Sequence, residues 1–290
     1  MRCIRRVRKR KERQVMNVKR VWDVYFSATG TTQKVVSRIA EVIAAGLGVE
    51  RETHDFTLPG ARENTPTFSA HDLVVLGTPV YAGRVPNVLV KYLASLQGDG
   101  ALAVPVVLFG NRYYDDALIE LRDILEVDGF HTVAAGAFVG EHSFSYALGA
   151  GRPDEADLTV ADSFARRVLE KLDTIPDTHG LAPTSVKGVP SPYRPYYRPL
   201  DPQGNPVDFR AIRPLTSDAC NDCKLCAESC PMGSISFVNV REYTGICIRC
   251  GACVKKCPQQ ARYYDNEAYL RHKQELEEGF TRRAEPELFV

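Results

Sequence analysis

The sequence predicts a doubly wound α/β domain of parallel strands, followed by a small cysteine-rich domain. From about residue 20 to 175, short apolar runs alternate with amphipathic helical patterns. Residues 176–214 then hold nine of the chain's 18 prolines, and eight of its nine cysteines follow within residues 220–257. Continuous apolar strands that alternate with helices are typical of a parallel sheet covered on both faces, with its sites at the carboxyl ends of the strands.

Each apolar run in the first part predicts a strand, and each stretch with helical periodicity predicts a helix. The predicted strands are VWDVYF (21–26), DLVVLG (72–77), VPVVLFG (104–110) and TVAAGAFVG (132–140). We number DLVVLG as the third strand and VPVVLFG as the fourth. The predicted helices are one that ends near Gly46 and Gly48, one begun by Pro86, DDALIELRDIL (115–125) and the long amphipathic stretch 153–172. Proline at the start and glycine at the end are common helix boundaries.

These patterns divide the chain into five parts. The parts are a basic extension (1–15), the α/β domain (16–175), a Pro- and Tyr-rich connector (176–214), the cysteine-rich domain (215–265) and a helical tail (266–290). So many prolines prevent regular helix or sheet in the connector. Its tyrosines lead us to expect that it packs along a surface.

The composition and the cysteines restrict the class of protein. No apolar run is long enough to span a bilayer, and no apolar segment of a signal peptide follows the basic N-terminus. We therefore expect a soluble, cytoplasmic protein, in which nine cysteines are not used as disulfides. Cys3 lies outside any pattern and is given no role.

The basic extension has two interpretations. Residues 1–15 hold eight Lys/Arg and one Glu, whereas the rest of the chain has a net charge of −6. Such an arm binds nucleic acid or anionic lipid in some proteins. We favour a true start at Met16 over Met1, because the segment lacks apolar periodicity. Nucleic-acid binding is disfavoured because no basic stripe or base-stacking motif follows it.

The cysteines form two copies of C-x2-C-x2-C-x3-C-P, 27 residues apart. In bacterial ferredoxins this run binds two [4Fe–4S] clusters, and its fourth cysteine ligates the other cluster. We therefore predict cluster I on Cys220, Cys223, Cys226 and Cys257, and cluster II on Cys247, Cys250, Cys253 and Cys230. Structural zinc also uses C-x2-C pairs, but it needs no repeated run that ends in Cys-Pro. The domain resembles two-cluster bacterial ferredoxins over its whole length.

The loop SATGTT (27–32) closes the first predicted strand where a helix begins. It lacks the lysine of a nucleoside triphosphate loop and the glycines of a dinucleotide loop. Backbone N–H groups, hydroxyls and a helix N-terminus suffice for one dianionic phosphate. The alternative is an ordinary helix cap without a ligand.

The first domain resembles flavodoxins, whose phosphate loop S/T-x-T-G-x-T holds FMN, over about residues 20–172. GTPVYAGRVP (77–86) and FGNRYYDDAL (109–118) occupy the places of the two ring-binding loops. The resemblance implies a phosphate site at Ser27, Ala28, Thr29, Gly30, Thr31 and Thr32. It implies ring contacts at Thr78, Pro79, Val80, Tyr81, Ala82, Gly83, Gly110, Asn111, Tyr113 and Tyr114.

Within the ring site, Tyr81 is the first candidate for stacking on the flavin, and Tyr113 or Tyr114 the second. Neither loop contains tryptophan, because the single Trp22 lies in the first strand. The Ala82–Gly83 peptide is the expected place of a redox-linked backbone change, since glycine tolerates both orientations. Because the phosphate loop has no lysine, we expect this loop to add no fixed positive charge near the ring. No catalytic residue is identified, and His142 and Tyr114 are weak candidates for a proton donor.

The complete arrangement is similar to prokaryotic fusion proteins known as EFR1-family ferredoxins, through the elements YFSATGTT, GTPVY and GNR. The resemblance implies an electron carrier in which FMN and two [4Fe–4S] clusters exchange electrons, with a redox protein as donor and another as acceptor. The alternatives are a flavin-dependent reductase of a small acceptor such as a quinone, and a docking module that has lost FMN. The cluster ligands favour an anaerobe.

Overall fold

The computed structural model describes residues 17–290. The predicted basic extension and both candidate start residues lie outside the described residues, so the expectations about them stay predictions.

The first domain is built on a seven-stranded sheet in the order β2-β1-β3-β4-β6-β9, with β5 beside β4. The strands of the chain are β1 (Arg20–Tyr25), β2 (Glu50–Asp55), β3 (Asp72–Pro79), β4 (Leu102–Phe109), β5 (His131–Thr132), β6 (Ala135–Val139), β7 (Leu215–Thr216), β8 (Arg262–Tyr263) and β9 (Glu287–Phe289). All pairs in this sheet are parallel except β6–β9. The order confirms the predicted doubly wound fold, and the strand order reverses at β1 and β3.

Helices cover both faces of the sheet. The helices of the chain are α1 (Thr31–Leu47), α2 (Asn87–Leu93), α3 (Ala117–Val127), α4 (Glu155–Leu172), α5 (Leu225–Glu228), α6 (Ala252–Lys255) and α7 (Glu267–Gly279). The apolar stripes of α1 and α4 pack on one face, and those of α2 and α3 pack on the other. Strands buried on both faces are apolar throughout, which explains why β3 and β4 were predicted as continuous runs.

Two strands differ from the sequence-based prediction. β2 has the polar sequence ERETHD and lies at the sheet edge, where it pairs only with β1 and is partly exposed. It therefore lacks the apolar run by which the other strands were recognised. The predicted strand 132–140 is divided into β5 and β6, with residues 133 and 134 between them.

The cysteine-rich domain repeats one short unit twice. The helices α5 and α6 each have four residues, and each is preceded by a residue with left-handed backbone, Lys224 (φ 63°) and Gly251 (φ 75°). The antiparallel pair β7–β8 joins the two ends of the domain. This repeat follows the 27-residue spacing of the cysteine runs.

The connector packs along the α/β domain. Apart from a short 3-10 turn at Phe209–Ala211 it has no helix, and residues in its first half bond the first domain. Asp116, fully buried before α3, accepts backbone hydrogen bonds from Val189 and Arg194 (both 2.9 Å). The Tyr196 hydroxyl donates to the Val85 carbonyl oxygen (2.8 Å).

The C-terminal tail is helical only in α7. After this helix the chain returns to the first domain, where β9 pairs antiparallel with β6 through three residues. A three-residue strand has no periodicity of its own, so the sequence did not distinguish it from the helical tail. None of the described helices is both long and apolar enough to cross a membrane.

Candidate functional site

The loop SATGTT joins β1 to α1 and is shaped by hydrogen bonds of Ser27. The Ser27 hydroxyl accepts from the Gln33 backbone N–H (3.0 Å), and the Ser27 N–H donates to the Thr57 hydroxyl (2.8 Å). Gly30 has φ 90°, and nothing lies within 4 Å of the position that a Cβ would take. The loop therefore turns around open space at the start of a long helix.

The backbone N–H groups of this turn are available to a ligand. Those of Thr29, Gly30, Thr31 and Thr32 donate to no other described residue. Four N–H groups at a helix N-terminus fit a phosphate without a lysine, as predicted from the loop. Lys34, one turn later, points away and donates to the Pro153 carbonyl oxygen (2.8 Å).

The first ring loop is a tight turn after β3. Tyr81 and Arg84 exchange backbone hydrogen bonds (3.0 and 3.1 Å), and the two residues between them have left-handed backbone, Ala82 (φ 53°) and Gly83 (φ 80°). A Cβ at Gly83 would lie 2.6 Å from Asp115 Oδ2 of the second ring loop. Glycine is therefore required where the two loops approach each other.

A cavity of about 490 Å³ lies over these loops at the carboxyl ends of β3 and β4. Six of the ten predicted ring residues line it, namely Val80, Tyr81, Ala82, Gly83, Gly110 and Tyr113. This volume is within the range of small-molecule sites, about 300–1,000 Å³. The cavity is the candidate site of a flavin ring.

Four predicted ring residues do not line the cavity. Pro79 ends β3, and Thr78 is fully buried beside it with a hydroxyl that has no partner among the described residues. The Asn111 amide is used by the C-terminal tail, with hydrogen bonds to the carbonyl oxygens of residues 280 and 282. Tyr114 is buried, and its hydroxyl donates to Glu287 Oε2 on β9 (2.9 Å).

Other cavity residues were not identified from the sequence. They come from the connector, from the second cysteine run and from α7, and include Tyr197, Arg198, Phe209, Ile248, Arg249 and His272. The Tyr197 backbone N–H donates to the Ala82 carbonyl oxygen (2.9 Å), which fixes the connector on the first ring loop. In the sequence, only the tyrosines of the connector indicated that it packs along a surface.

His142 lines the cavity as a neutral hydrogen-bond donor. Its Nδ1 accepts from the Phe144 backbone N–H (3.1 Å), so the proton of the neutral ring is on Nε2. Burial, with smaller contributions from His272, Lys255 and Arg112, lowers the pKa of His142 to about 4. A neutral imidazole donates a hydrogen bond at neutral pH but supplies no proton from a charged form, which opposes the role of general acid.

The cavity also carries positive charge. Its lining includes the arginines Arg112, Arg198, Arg210 and Arg249. Arg112 is paired with Asp115, and Arg210 lies 2.7 Å from Asp208. The phosphate loop contributes none of these arginines, so the expectation about that loop stays a prediction. Positive charge favours the more negative form of a redox group.

The eight cysteines line two separate cavities. Cys220, Cys223, Cys226 and Cys257 line one, and Cys230, Cys247, Cys250 and Cys253 line the other. This is the three-plus-one grouping predicted from the sequence. All eight are free thiols.

The cysteines of the two runs are the candidate ligands of two [4Fe–4S] clusters. Among residues 17–290, no three His, Cys, Asp or Glu side chains converge closely enough to hold one ion. Backbone N–H groups donate to the sulfurs of Cys220, Cys230 and Cys257 at 3.3–3.4 Å. Such N–H···S bonds stabilise anionic sulfur ligands and are one determinant of cluster potential.

The ring cavity and the cluster II cavity share a wall. Ile248 and Arg249, between the first two cysteines of the second run, line both. Burial, and then the nearby Cys250, raise the pKa of Tyr81 well above its usual value. The core of the first domain continues into the wall through Ala252 and Ile248.

The domains are held together on both sides of the wall. A Cβ at Gly251 would lie 2.6 Å from the Ser143 carbonyl oxygen, so the two backbones approach closely there. Lys255 pairs with Glu141. On the other side, the Arg62 guanidinium donates to the Pro231 carbonyl oxygen (2.6 Å).

Comparison with known families identifies both domains. Residues 24–107 match the flavodoxin domain, and residues 219–262 match the 4Fe–4S dicluster domain. These matches confirm a flavodoxin-like fold followed by a ferredoxin-type domain. A flavodoxin domain implies FMN and a dicluster domain implies [4Fe–4S] clusters, so the predicted cofactors are confirmed at the level of the domains.

Three similar solved structures each cover about half of this chain. A flavodoxin from Streptococcus pneumonia TIGR4 is 20% identical over 52% of this chain and 99% of its own, with a TM-score of 0.37. Flavodoxin 2 from Bacillus cereus is 19% identical over 52% and 99%, with a TM-score of 0.38. An NADH:FMN oxidoreductase (EMOB) in its apo form is 17% identical over 54% and 89%, with a TM-score of 0.39. No curated protein matches the chain.

Proposed function

We propose that this protein is an electron-transfer protein in which electrons pass between one FMN and two [4Fe–4S] clusters on the same chain. The observation that supports this most is the wall of Ile248 and Arg249, which lines both the ring cavity and the cluster II cavity. FMN exchanges one or two electrons and each cluster exchanges one, so the chain joins a two-electron carrier to one-electron carriers. We also propose that the chain is a member of the EFR1-family ferredoxins.

The chain's own residues give each cofactor a place. The N–H groups of Thr29, Gly30, Thr31 and Thr32 would hold the FMN phosphate, and Tyr81 or Tyr113 would contact the ring. His142 Nε2–H is a hydrogen-bond donor in the lining of the same cavity. Residues of both domains and of the connector line this cavity.

The positions of the cysteines give the cofactors an order. Cluster II lies against the flavodoxin-like domain, where Cys253 is buried. Cluster I shares no lining residue with the ring cavity, and its ligand Cys223 is exposed. We therefore propose the order flavin, cluster II, cluster I, with cluster I as the end at which a separate redox protein docks.

Joining the carriers on one chain removes the need for a diffusive encounter between them. A short connection raises the effective concentration of one group near another to the millimolar range. Here the contacts of Lys255 with Glu141 and of Arg62 with Pro231 also fix the orientation of the domains. Transfer across the shared wall is then an intramolecular step.

The test begins with the protein purified without oxygen. We expect about eight irons, eight acid-labile sulfides and one acid-released FMN per chain. Eight irons without flavin, even after addition of FMN, would make the first domain a docking scaffold for the ferredoxin domain.

The second step tests transfer, with reduced bacterial ferredoxin as the one-electron donor. Replacing both Cys220 and Cys247 by serine removes one ligand from each cluster, and we expect FMN to stay bound but its reduction by ferredoxin to stop. Dithionite, which reaches exposed flavin directly, serves as the control for an intact ring site. Flavin reduction by ferredoxin at an unchanged rate would contradict the relay.

The size of the ring cavity supports a second candidate function, reduction of a small acceptor such as a quinone at the flavin. The cavity extends beyond the ring loops to Tyr197, Phe209 and His272. Steady-state turnover of benzoquinone by the holoprotein, compared with free FMN, distinguishes the two. A carrier shows no turnover above the rate of free FMN.

A further inference from the structure

The two cysteine runs place residues of opposite charge at the same position. The residue before the second cysteine is Asp222 in the first run and Arg249 in the second. Both have left-handed backbone, with φ 57° and φ 55°. Two residues later, Lys224 in the first run corresponds to Gly251 in the second, again with similar φ. Because the local shape is the same, the charges around the clusters are comparable residue by residue.

At cluster I the two charged positions neutralise each other. Lys224 Nζ lies 2.6 Å from Asp222 Oδ2, and the Asp222 side chain is largely exposed. This pair therefore adds almost no net charge beside cluster I.

At cluster II the positive charge of Arg249 has no carboxylate at ion-pair distance among the described residues, and Asp208 interacts with it only from farther away. Within residues 17–290 Arg249 forms no ion pair with a carboxylate, and it donates instead to the Cys247 carbonyl oxygen (3.0 Å). The position of Lys224 is taken by Gly251, where the Ser143 carbonyl oxygen leaves no room for a side chain. At these two positions, cluster II thus has one more positive charge than cluster I.

Arg262 does not remove this difference. It is buried, lines the cluster I cavity and lies close enough to Cys253 of cluster II to interact with it. Its charge is therefore shared between the two clusters. The asymmetry depends on Arg249, on the side that faces the flavodoxin-like domain.

Burial and charge act on cluster II in opposite directions. Reduction adds one negative charge to a cluster, so burial lowers its potential and a nearby positive charge raises it. Cluster II is the more covered of the two, since Cys253 is 9% exposed and Cys223 of cluster I is exposed. Burial alone would make cluster II the harder cluster to reduce.

We propose that Arg249 reverses this order and holds the potential of cluster II above that of cluster I. Arg249 is then a positioning residue that acts through the neighbouring cluster, and it directs electrons from cluster I to cluster II and on to the flavin. This inference rests on the proposed relay and adds its direction. Each one-electron transfer from an external low-potential redox protein reduces cluster I. Two such electrons, together with two protons from water, convert FMN into its fully reduced form.

The test is a redox titration of the full chain, followed by electron paramagnetic resonance. Arg249→Asn and Asp222→Asn form a matched pair, because asparagine is well tolerated at positive φ. We expect two clusters of different potential in the unmodified protein. Arg249→Asn lowers the higher potential by about 59 mV or more, a tenfold change in a one-electron equilibrium. Asp222→Asn raises the lower potential and leaves the other unchanged, and Arg249→Lys, which keeps the charge, changes neither.

The inference is overturned if Arg249→Asn leaves the potential of the higher-potential cluster unchanged. It is also overturned if Asp222→Asn changes the potential of that higher-potential cluster. If Arg249→Asn loses iron, Asp222→Asn still identifies cluster I, which must be the cluster of lower potential. The iron, sulfide and flavin contents separate this inference from the proposed function. If all cofactors are present but Arg249→Asn changes neither cluster potential, only the direction of transfer is refuted. If the chain holds no FMN, the relay is refuted, and the cluster titration still tests the effect of Arg249.

Discussion

Replacing Asn111 by glycine should release the C-terminal tail from the α/β domain. Asn111 has φ 64°, so glycine removes its side chain without adding backbone strain. The amide donates to the carbonyl oxygens of Phe280 (2.8 Å) and Arg282 (2.9 Å), and its oxygen accepts from the Ala284 N–H (3.0 Å). Asn111 is 6% exposed, so water does not readily replace these bonds.

The size of the effect follows from the number of bonds. Three hydrogen bonds at about 0.5–1.5 kcal/mol each give a loss of about 1.5–4.5 kcal/mol. The loss falls first on the tail, because β9 pairs with β6 through only three residues. Hydrogen exchange in residues 280–289 should therefore become about ten to a thousand times faster, since 1.4 kcal/mol corresponds to a factor of ten.

Hydrogen exchange followed by mass spectrometry measures this directly. In a chain that ends at Gly279, Asn111→Gly removes none of these three hydrogen bonds, so the substitution should cost nothing further there and the double-mutant cycle isolates the contact. Tail protection that is the same with and without the Asn111 side chain would refute the reasoning. Weaker FMN binding with normal tail protection would instead support the ring contact predicted from the sequence.

Three further predictions concern the phosphate loop, the domain contact and the cavity histidine. Gly30 and Gly48 flank α1, and both have left-handed backbone and open space beside them, so replacement by alanine costs about 1–2 kcal/mol at either position. Only Gly30→Ala should weaken FMN binding in equilibrium dialysis. Equal FMN affinities of the two variants would place the phosphate elsewhere. Gly251→Ala brings a Cβ to 2.6 Å from the Ser143 carbonyl oxygen, so the contact between the two domains must shift. The substitution should therefore slow flavin reduction by ferredoxin, measured by stopped-flow absorbance. An unchanged rate would contradict a tight domain contact. Burial lowers the pKa of His142 from 6.5 to about 4, so the unfolded chain binds the proton more readily than the folded chain. The free energy of unfolding should therefore fall as the pH is lowered from about 6.5 to about 4. His142→Gln should flatten this pH dependence in urea titrations, and an identical dependence in the variant would argue against a buried neutral His142.

Several features of the protein were predictable because neighbouring residues encode them. The spacing of the cysteine runs predicts two clusters, since three cysteines with two residues between neighbours wrap one cluster within a single loop and the fourth reaches the other cluster. The apolar runs of β3 and β4 predict a parallel sheet, because both faces of these strands are buried. Ser27 and Gly30 in the first loop predict a phosphate turn from local backbone chemistry alone.

Other features depend on contacts between distant parts of the chain. Asn111 and Tyr114 belong to the predicted ring loop, yet their side chains bond the tail about 170 residues later. β2 and β9 are recognised only by the neighbours with which they pair. No periodicity within these segments carries that information.

The sequence by itself therefore determined which cofactors the chain has residues for: eight thiolates at cluster spacing and a phosphate turn at the start of α1. Only the tertiary structure decided how the sites are arranged, with Arg249 and Ile248 between the ring cavity and cluster II and with the connector over the ring loops. The physical reason is range. Ligand spacing and helix capping act within a few residues, whereas a shared wall and an unpaired charge arise only when two domains pack against each other.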